Sequence, residues 1–273
     1  MQGLEILFHT LKKIPVLIRA ARFFRSFSSP RQRSIRRLLR DNPGGLFQPC
    51  GETSPDRYPR IFAFVQKRLS DVSAPRLLSF GCATGEEVFS LRKYFLTAEI
   101  TGIDINPQSI AICNKKLKRS GDSKIRFQVD SSANAEPEEH YDAIFCMAVL
   151  RHGGLGVGRA QRCDHLIRFA DFEHLLSGLC RSLKPGGYLV IRHSNFRFSD
   201  IPAAAEFDVV FSILHNPEAD PTPLYGPDDR LLEHEVYNDT VFRKREQPEH
   251  VSNPFILSGG ECTNRNQKPC LNQ

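Results

Sequence analysis

Nowhere in this chain of 273 residues do two cysteines form a C-x-x-C pair, and the eight of them (50, 82, 113, 146, 163, 180, 262 and 270) make no His-Cys cluster at metal-ligand spacing. That pattern excludes a zinc ribbon and a disulfide framework, so the cysteines read as reduced thiols and no metal site is expected. A cleavable secretory start is also missing, which points to a cytoplasmic protein. No apolar run reaches membrane length, because Lys12, Lys13, Arg19 and Arg22 interrupt the one that begins the chain. Solenoid repeats are absent as well. Acidic residues are nearly missing from positions 1–40, where ten Lys/Arg accompany only Glu5. That is a local charge of +9, and it leaves 27 basic against 30 acidic residues, or −3, for the rest. The bulk of the chain is therefore not a basic surface that seeks polyanions, and nucleic acid is an unlikely partner for it.

Two further motifs are absent where a strand runs into a helix. Leu77-Leu78-Ser79-Phe80 leads into Gly81-Cys82-Ala83-Thr84-Gly85 and then Glu86-Glu87. A glycine turn at the end of a buried strand lets a ligand approach the backbone and the free N–H groups of the helix start. The turn departs from G-x-G-x-x-G at Ala83 and Glu86, which argues against NAD, and it lacks the Gly-Lys-Ser/Thr ending of a P-loop. Two acids at the helix start repel a pyrophosphate and suit a cation. Residues 99–107, Glu-Ile-Thr-Gly-Ile-Asp-Ile-Asn-Pro, read as a second buried strand ending in an acid 23 residues after Gly81. An acid in that place accepts ribose hydroxyls. A nucleoside without phosphates, joined to a positive group, fits both motifs, and S-adenosylmethionine is such a molecule.

At this point the chain resembles the class I S-adenosylmethionine-dependent methyltransferases, and in particular the catalytic domain of the chemotaxis-receptor glutamate methyltransferases. Those enzymes carry Cys-Ser-Thr-Gly-Glu-Glu where this chain has Cys82-Ala83-Thr84-Gly85-Glu86-Glu87. Tyr141–Val149 is similar to the family's fourth strand, Leu183–Ile191 to its turn into the fifth, and His193-Ser194-Asn195-Phe196 to its His-Ser-Glu-Asn-Phe, so the resemblance covers roughly residues 56–196. Cys146-Met147-Ala148-Val149 stands where the family reads Cys-Arg-Asn-Val, and residues before 70 do not resemble its receptor-recognition domain. The resemblance therefore implies the cofactor and the reaction type but not glutamate side chains as acceptors.

What it implies for residues is a cofactor site made of Gly81, Cys82, Ala83, Gly85 and Glu86 in the turn, with Asp104 and Ile105 at the ribose. Asp130 and Ser131 are expected at the adenine amine, though Asp130 can equally cap its turn, and Met147 and Ala148 pack on the ring. Arg57 or Arg60 is a candidate partner for the cofactor carboxylate, a structural salt bridge being the alternative. Methyl transfer is an in-line displacement governed by alignment and exclusion of water. If the acceptor is a hydroxyl or protonated amine, His152 and His193, after the fourth and fifth strands, are candidate bases, each open to a structural reading. Cys146 ends an apolar strand, which favours packing over nucleophilic chemistry. No Asp/Asn-Pro-Pro-Tyr follows the fourth strand, which disfavours transfer to a base or amide nitrogen as the resemblance reads it. The expected reaction is transfer to an O or N nucleophile of an unidentified small molecule or protein side chain. The rivals are a SAM-binding protein without catalysis and a nucleic-acid-binding module using the basic arm.

The implied fold is α/β, a Rossmann-like seven-stranded methyltransferase sheet with helices on both faces. Strands are expected near 76–82, 99–105, 124–130, 141–149 and 187–193, with two more at Glu206–Leu214 and Thr240–Arg245 flanking a Pro-rich insertion, 215–239. Helices are expected at 85–95, 107–118 and 171–183, and residues 41–75 read as a linker. The domains are then a basic helical arm 1–45, a methyltransferase domain 46–248 and a polar, fraying tail 249–273. In the arm Leu4, Leu7, Phe8 and Leu11 share one helical face and Leu17, Ala20, Ala21 and Phe24 another. Ser29-Pro30 starts a third helix with Arg33, Arg36, Arg37 and Arg40, which Asn42-Pro43-Gly44-Gly45 ends. Three readings of the arm stay open: a cap over the cofactor, a transit peptide, or a surface that lies on nucleic acid or an anionic membrane, the last making the protein peripheral at a membrane.

Overall fold

The structure is a computed structural model and describes residues 30–41, 47–49, 51, 53–156, 160–214 and 222–246. The two expected helical faces in residues 4–24 and the tail 249–273 lie outside the described residues. The third helix of the arm is present as α1, Pro30–Asp41, with proline at its start. The remaining helices are α2 (Pro59–Arg68), α3 (Glu86–Tyr94), α4 (Pro107–Ser120) and α5 (Phe169–Ser182). The strands are β1 (Arg76–Phe80), β2 (Glu99–Asp104), β3 (Ile125–Val129), β4 (Tyr141–Met147), β5 (Leu183–Arg192), β6 (Phe207–Ser212) and β7 (Asp239–Lys244).

These strands form one seven-stranded sheet in the order β3-β2-β1-β4-β5-β7-β6. β1 pairs parallel with β2 and β4, β2 with β3, and β4 with β5, while β7 runs antiparallel between β5 and β6. Both faces of the sheet are covered, so its central strands are apolar at consecutive positions. Leu77, Phe145, Val190 and Val241 enter a core with α2, α3 and α4, whereas Leu78, Ile144, Leu189 and Phe242 enter a second core with α5. A one-residue alternation thus sorts each strand's side chains between two layers. Lys244 at the end of β7 is buried, and its ammonium donates to the Cys180 and Leu183 carbonyls where α5 ends.

β4 and β6 end two residues before their expected ends, at Met147 and Ser212, and three further differences have a physical reason. Residues 59–68 are a helix and not linker: Pro59 opens it, and Ile61, Phe62 and Val65 bury one face against the sheet. β5 begins at Leu183, four residues early, because Leu183 pairs with Tyr141 ahead of a register shift, and Gly186 bends the strand at a φ of 76°. β1 stops at Phe80, since Gly81 turns the chain at a φ of 73°.

Candidate active site

The strand ends β1, β2 and β4 open on one side into a cleft, roofed by α1 and by Phe47, Gln48, Pro49, Thr53, Arg57 and Tyr58. Its floor is the glycine turn. The Gly81 and Cys82 amides donate to the Ile103 carbonyl at 2.7 and 2.9 Å, tying the turn to β2. Asp104 completes the stitch, for its carboxylate accepts from the Ala83 amide and from the Asn106 amide, each at 2.8 Å. The residue expected to read ribose therefore also shapes the turn.

Left-handed backbone marks the same edge. Ala83, Ala148 and His193 have φ values of 47°, 59° and 55°, and they follow β1, β4 and β5 respectively. Such angles cost side-chain-bearing residues about 1–3 kcal/mol and gather where a fold places function. A Cβ on Gly81 would lie 2.3 Å from Cγ2 of Val149, so it is that side chain, across the turn from β4, that requires glycine there.

Of the expected cofactor residues, Arg57, Gly81, Cys82, Ala83, Asp104, Ile105, Asp130, Ser131, Met147 and Ala148 all line this cleft. Arg57 does so with its guanidinium 5.3 Å from the ring of Tyr58, whereas Arg60 is not part of the wall. Asp130 also caps its turn, accepting from the Ser132 amide at 2.9 Å. Gly85 and Glu86 are not in the wall. Gly85 is the left-handed N-cap of α3 and packs toward Cys113. Glu86 turns toward α4, where its carboxylate meets the Lys116 ammonium and accepts from the Thr84 hydroxyl at 2.6 Å. Burial disfavours its charge, but those two hydrogen bonds win and hold Glu86 below the usual carboxylate range.

Its neighbour Glu87 is the acid that reaches the cleft. Desolvation pushes the Glu87 carboxyl up to about 8, against the opposing pull of the Ser79 hydroxyl, which donates to it at 2.7 Å, and of the Arg57 charge. At neutral pH this carboxyl is mostly protonated, and a cation set beside it would ionise it.

Neither candidate base lines the cleft. His152 uses Nδ1 to accept from the Gly154 amide at 3.1 Å, and desolvation, then the charge of His165, lower its pKa. Its own amide donates to Oδ1 of Asn195 at 2.7 Å, and the buried Asn195 side chain in turn holds the Pro223 carbonyl at 2.7 Å, joining the loops after β4 and β5 to the insertion. His193 packs on Tyr58, ring centres 5.8 Å apart, and opens into a smaller pocket with Glu235 and Tyr237. Cys146 is fully buried, and desolvation raises its thiol well above the ordinary value, so it is a packing residue. Among the described residues no three His, Cys, Asp or Glu side chains gather as a metal site, and no helix is long and apolar enough to cross a membrane.

The sequence offered a cap over the cofactor as one reading of the arm but did not single out the residues that form it. Ile35 and Leu38 of α1, with Phe47, close the cleft from above, and the Ser34 hydroxyl donates to Oδ1 of Asn106 at 2.8 Å. The signal was available as two apolar positions three apart in an arginine-rich helix. Of the three readings of the arm, α1 itself fits a cap.

Comparison with known proteins gives the following. A family model described as a methyltransferase domain matches residues 71–216. An uncharacterised protein of Synechococcus is 32% identical over 136 residues, 49% of this chain and 29% of its own. A fatty-acid O-methyltransferase of Mycolicibacterium smegmatis is 27% identical over 133 residues, covering 49% of this chain and 42% of that protein. A demethylmenaquinone methyltransferase of Thermus thermophilus is 30% identical over 117 residues, 42% and 46% of the two chains. The chain thus spans less than half the length of each of these relatives. Among solved structures, a sarcosine dimethylglycine methyltransferase described as putative, from Galdieria sulphuraria, is 17% identical with a TM-score of 0.35 over 49% of this chain and 46% of that one.

Proposed function

Because the chain belongs to the methyltransferase-domain family, whose cofactor is S-adenosylmethionine, we propose that it transfers a methyl group to an oxygen on a largely apolar acceptor. The observation that carries this reading is that the glycine turn, Asp104 and the carboxyl of Glu87 share one cleft under an apolar roof. The residues fit the cofactor. Asp104 accepts from the ribose, Asp130 or Ser131 meets the adenine amine, and Met147 with Ala148 packs on the ring. Glu87 and Arg57 take the ammonium and carboxylate of the methionine end. The likeness of the turn to that of the chemotaxis-receptor glutamate methyltransferases supports the same assignment.

When bound, the cofactor supplies a methyl group on a positive sulfur. The protein's part is to hold the donor along the strand edge, fix the acceptor atom in line, and keep water away, which raises effective concentration without a base. Since neither His152 nor His193 lines the cleft, neither takes a proton, and the acceptor oxygen best served is one that is already a carboxylate and has no proton to lose. Ile35, Leu38, Phe47 and Val149 favour an apolar acceptor, in keeping with relatives whose names specify a fatty acid and a quinone precursor.

Calorimetry of the full chain with S-adenosylhomocysteine tests the cofactor, and label from methyl-labelled S-adenosylmethionine into hydroxylated or carboxylated apolar compounds tests the transfer. Binding with label appearing in an apolar pool is expected. Absence of binding overturns the reading, and binding without any label supports a cofactor-binding protein that does not catalyse.

A further inference from the structure

Two neighbouring helices carry an imbalance of charge that the cleft does not use. α1, Pro-Arg-Gln-Arg-Ser-Ile-Arg-Arg-Leu-Leu-Arg-Asp, packs on α4, and together they hold nine Lys/Arg against a single acid, Asp41. Arg33, Arg36, Arg37 and Arg40 recur at helical intervals on one exposed face of α1, opposite the Ile35 and Leu38 that roof the cleft. On α4, Lys116 is engaged by Glu86 and Thr84, while Lys115, Lys118 and Arg119 are exposed. Lys118 and Arg119 sit in the last turn of α4, where they offset the helix dipole. On α1 the same holds for Arg40 in the last turn but not for Arg33, which stands near the N-terminal, positive end. Helix stability therefore does not account for the whole arginine face.

Large apolar side chains stand exposed on the same two helices, Leu39 at 42% and Ile112 at 39%. Neither helix contains an aromatic residue. A single-stranded nucleic acid is gripped by cations interleaved with aromatic stacking platforms. An anionic bilayer takes cations together with aliphatic side chains that enter the headgroup boundary. We infer that the arginine face of α1, flanked by α4, docks on anionic phospholipid headgroups and sets the roof of the cleft against a membrane surface. The docking rests on charge and exposure alone and stands whether or not the chain transfers methyl groups.

The test is sedimentation of the full chain with vesicles of phosphatidylcholine, with and without a 30% share of phosphatidylglycerol, at low and high salt. Binding is expected only with the anionic lipid and is expected to weaken as salt shortens the screening length. Arg33→Gln with Arg37→Gln should lower the partition about thirty-fold, from about 1 kcal/mol for each basic residue at an anionic surface. Unchanged melting and unchanged S-adenosylhomocysteine affinity would confirm that the variant is folded. Equal binding to neutral vesicles overturns the inference, and so does full anionic binding by the double variant, which would move the contact to residues 1–29. A single-stranded RNA oligonucleotide bound by the chain, and lost in the variant, with no vesicle binding, would replace lipid by nucleic acid.

Discussion

The floor and the roof of the cleft are held by different kinds of bond. In the floor, main-chain amides of Gly81, Cys82, Ala83 and Asn106 donate to Ile103 and Asp104, all within 2.7–2.9 Å. The roof meets it through the side chains of Ile35 and Leu38 and the hydroxyl of Ser34. Backbone bonds demand particular φ values and tolerate few substitutions, whereas side-chain contact tolerates exchange of one apolar group for another. In the proposed function the floor would then fix the cofactor's seat, and the roof would be free to differ with the acceptor.

Damage to the floor should be the most severe. Gly81→Val imposes a φ of 73° on a branched residue and drives its Cβ into Val149. Strain of about 1–3 kcal/mol and a packing clash of similar size should lower the melting temperature and remove S-adenosylhomocysteine binding in calorimetry. Gly81→Ala combined with Val149→Ala relieves the clash but not the backbone angle, so it should recover stability in part.

Asp104→Ala comes next, since it strips an acceptor from two main-chain amides and, in the proposed function, from the ribose. A cost of about 1–3 kcal/mol for each amide left unpaired should appear in denaturant unfolding even without ligand. An unfolding midpoint equal to that of the parent would show that Asp104 serves the ligand alone.

Glu87 sharpens the contrast through pH. Its carboxyl sits near 8 in the folded chain against an ordinary value of 4.5, so between those values the folded state holds the extra proton. Its contribution to stability is therefore full below about 4.5 and is lost as pH rises through about 8. Glu87→Gln should flatten that decline. A ligand ammonium ionises the carboxyl, so S-adenosylhomocysteine binding near pH 7 should release a proton, read from calorimetry in buffers of different ionisation enthalpy. The Gln variant should bind roughly ten-fold or more weakly, the value of a charged hydrogen bond, and release none.

Ser34→Ala should do least. It removes one part-buried hydrogen bond between roof and floor, about 1 kcal/mol or less, and should leave cofactor affinity within several-fold of the parent. A larger loss would mean that the roof holds the cofactor as firmly as the floor does.

Much of the floor was legible from the chain because Gly81 and Asp104 act through local geometry: a strand, a turn and an acid at fixed spacing. The choice between Glu86 and Glu87 was not. Consecutive helical residues point about 100° apart, and Glu86 is drawn off by Lys116, which arrives thirty residues later. α2 was hidden by the proline- and glycine-rich stretch before it, although Ile61, Phe62, Val65 and Leu69 already had helical spacing. The start of β5 was obscured by Lys184-Pro185-Gly186-Gly187, which reads as a turn until the pairing of Leu183 with Tyr141 is known. The hydrogen bond from roof to floor joins Ser34 to Asn106, and no local pattern encodes a pairing so far apart in the chain.

The placement of β7 between β5 and β6 bears on how the chain leaves the ribosome. β1 to β4 complete the cofactor half of the sheet by Met147, but β6 has no partner other than β7, and β5 keeps an open edge until residues 239–244 are made. Synthesis at about 5–20 residues per second puts roughly 3 to 10 seconds between the end of β5 and the end of β7. For that interval a nascent chain presents an apolar strand edge to its neighbours on the same messenger, which is where unwanted pairing between chains begins. Lys244, closing β7 onto the end of α5, is the residue whose arrival ends that exposure.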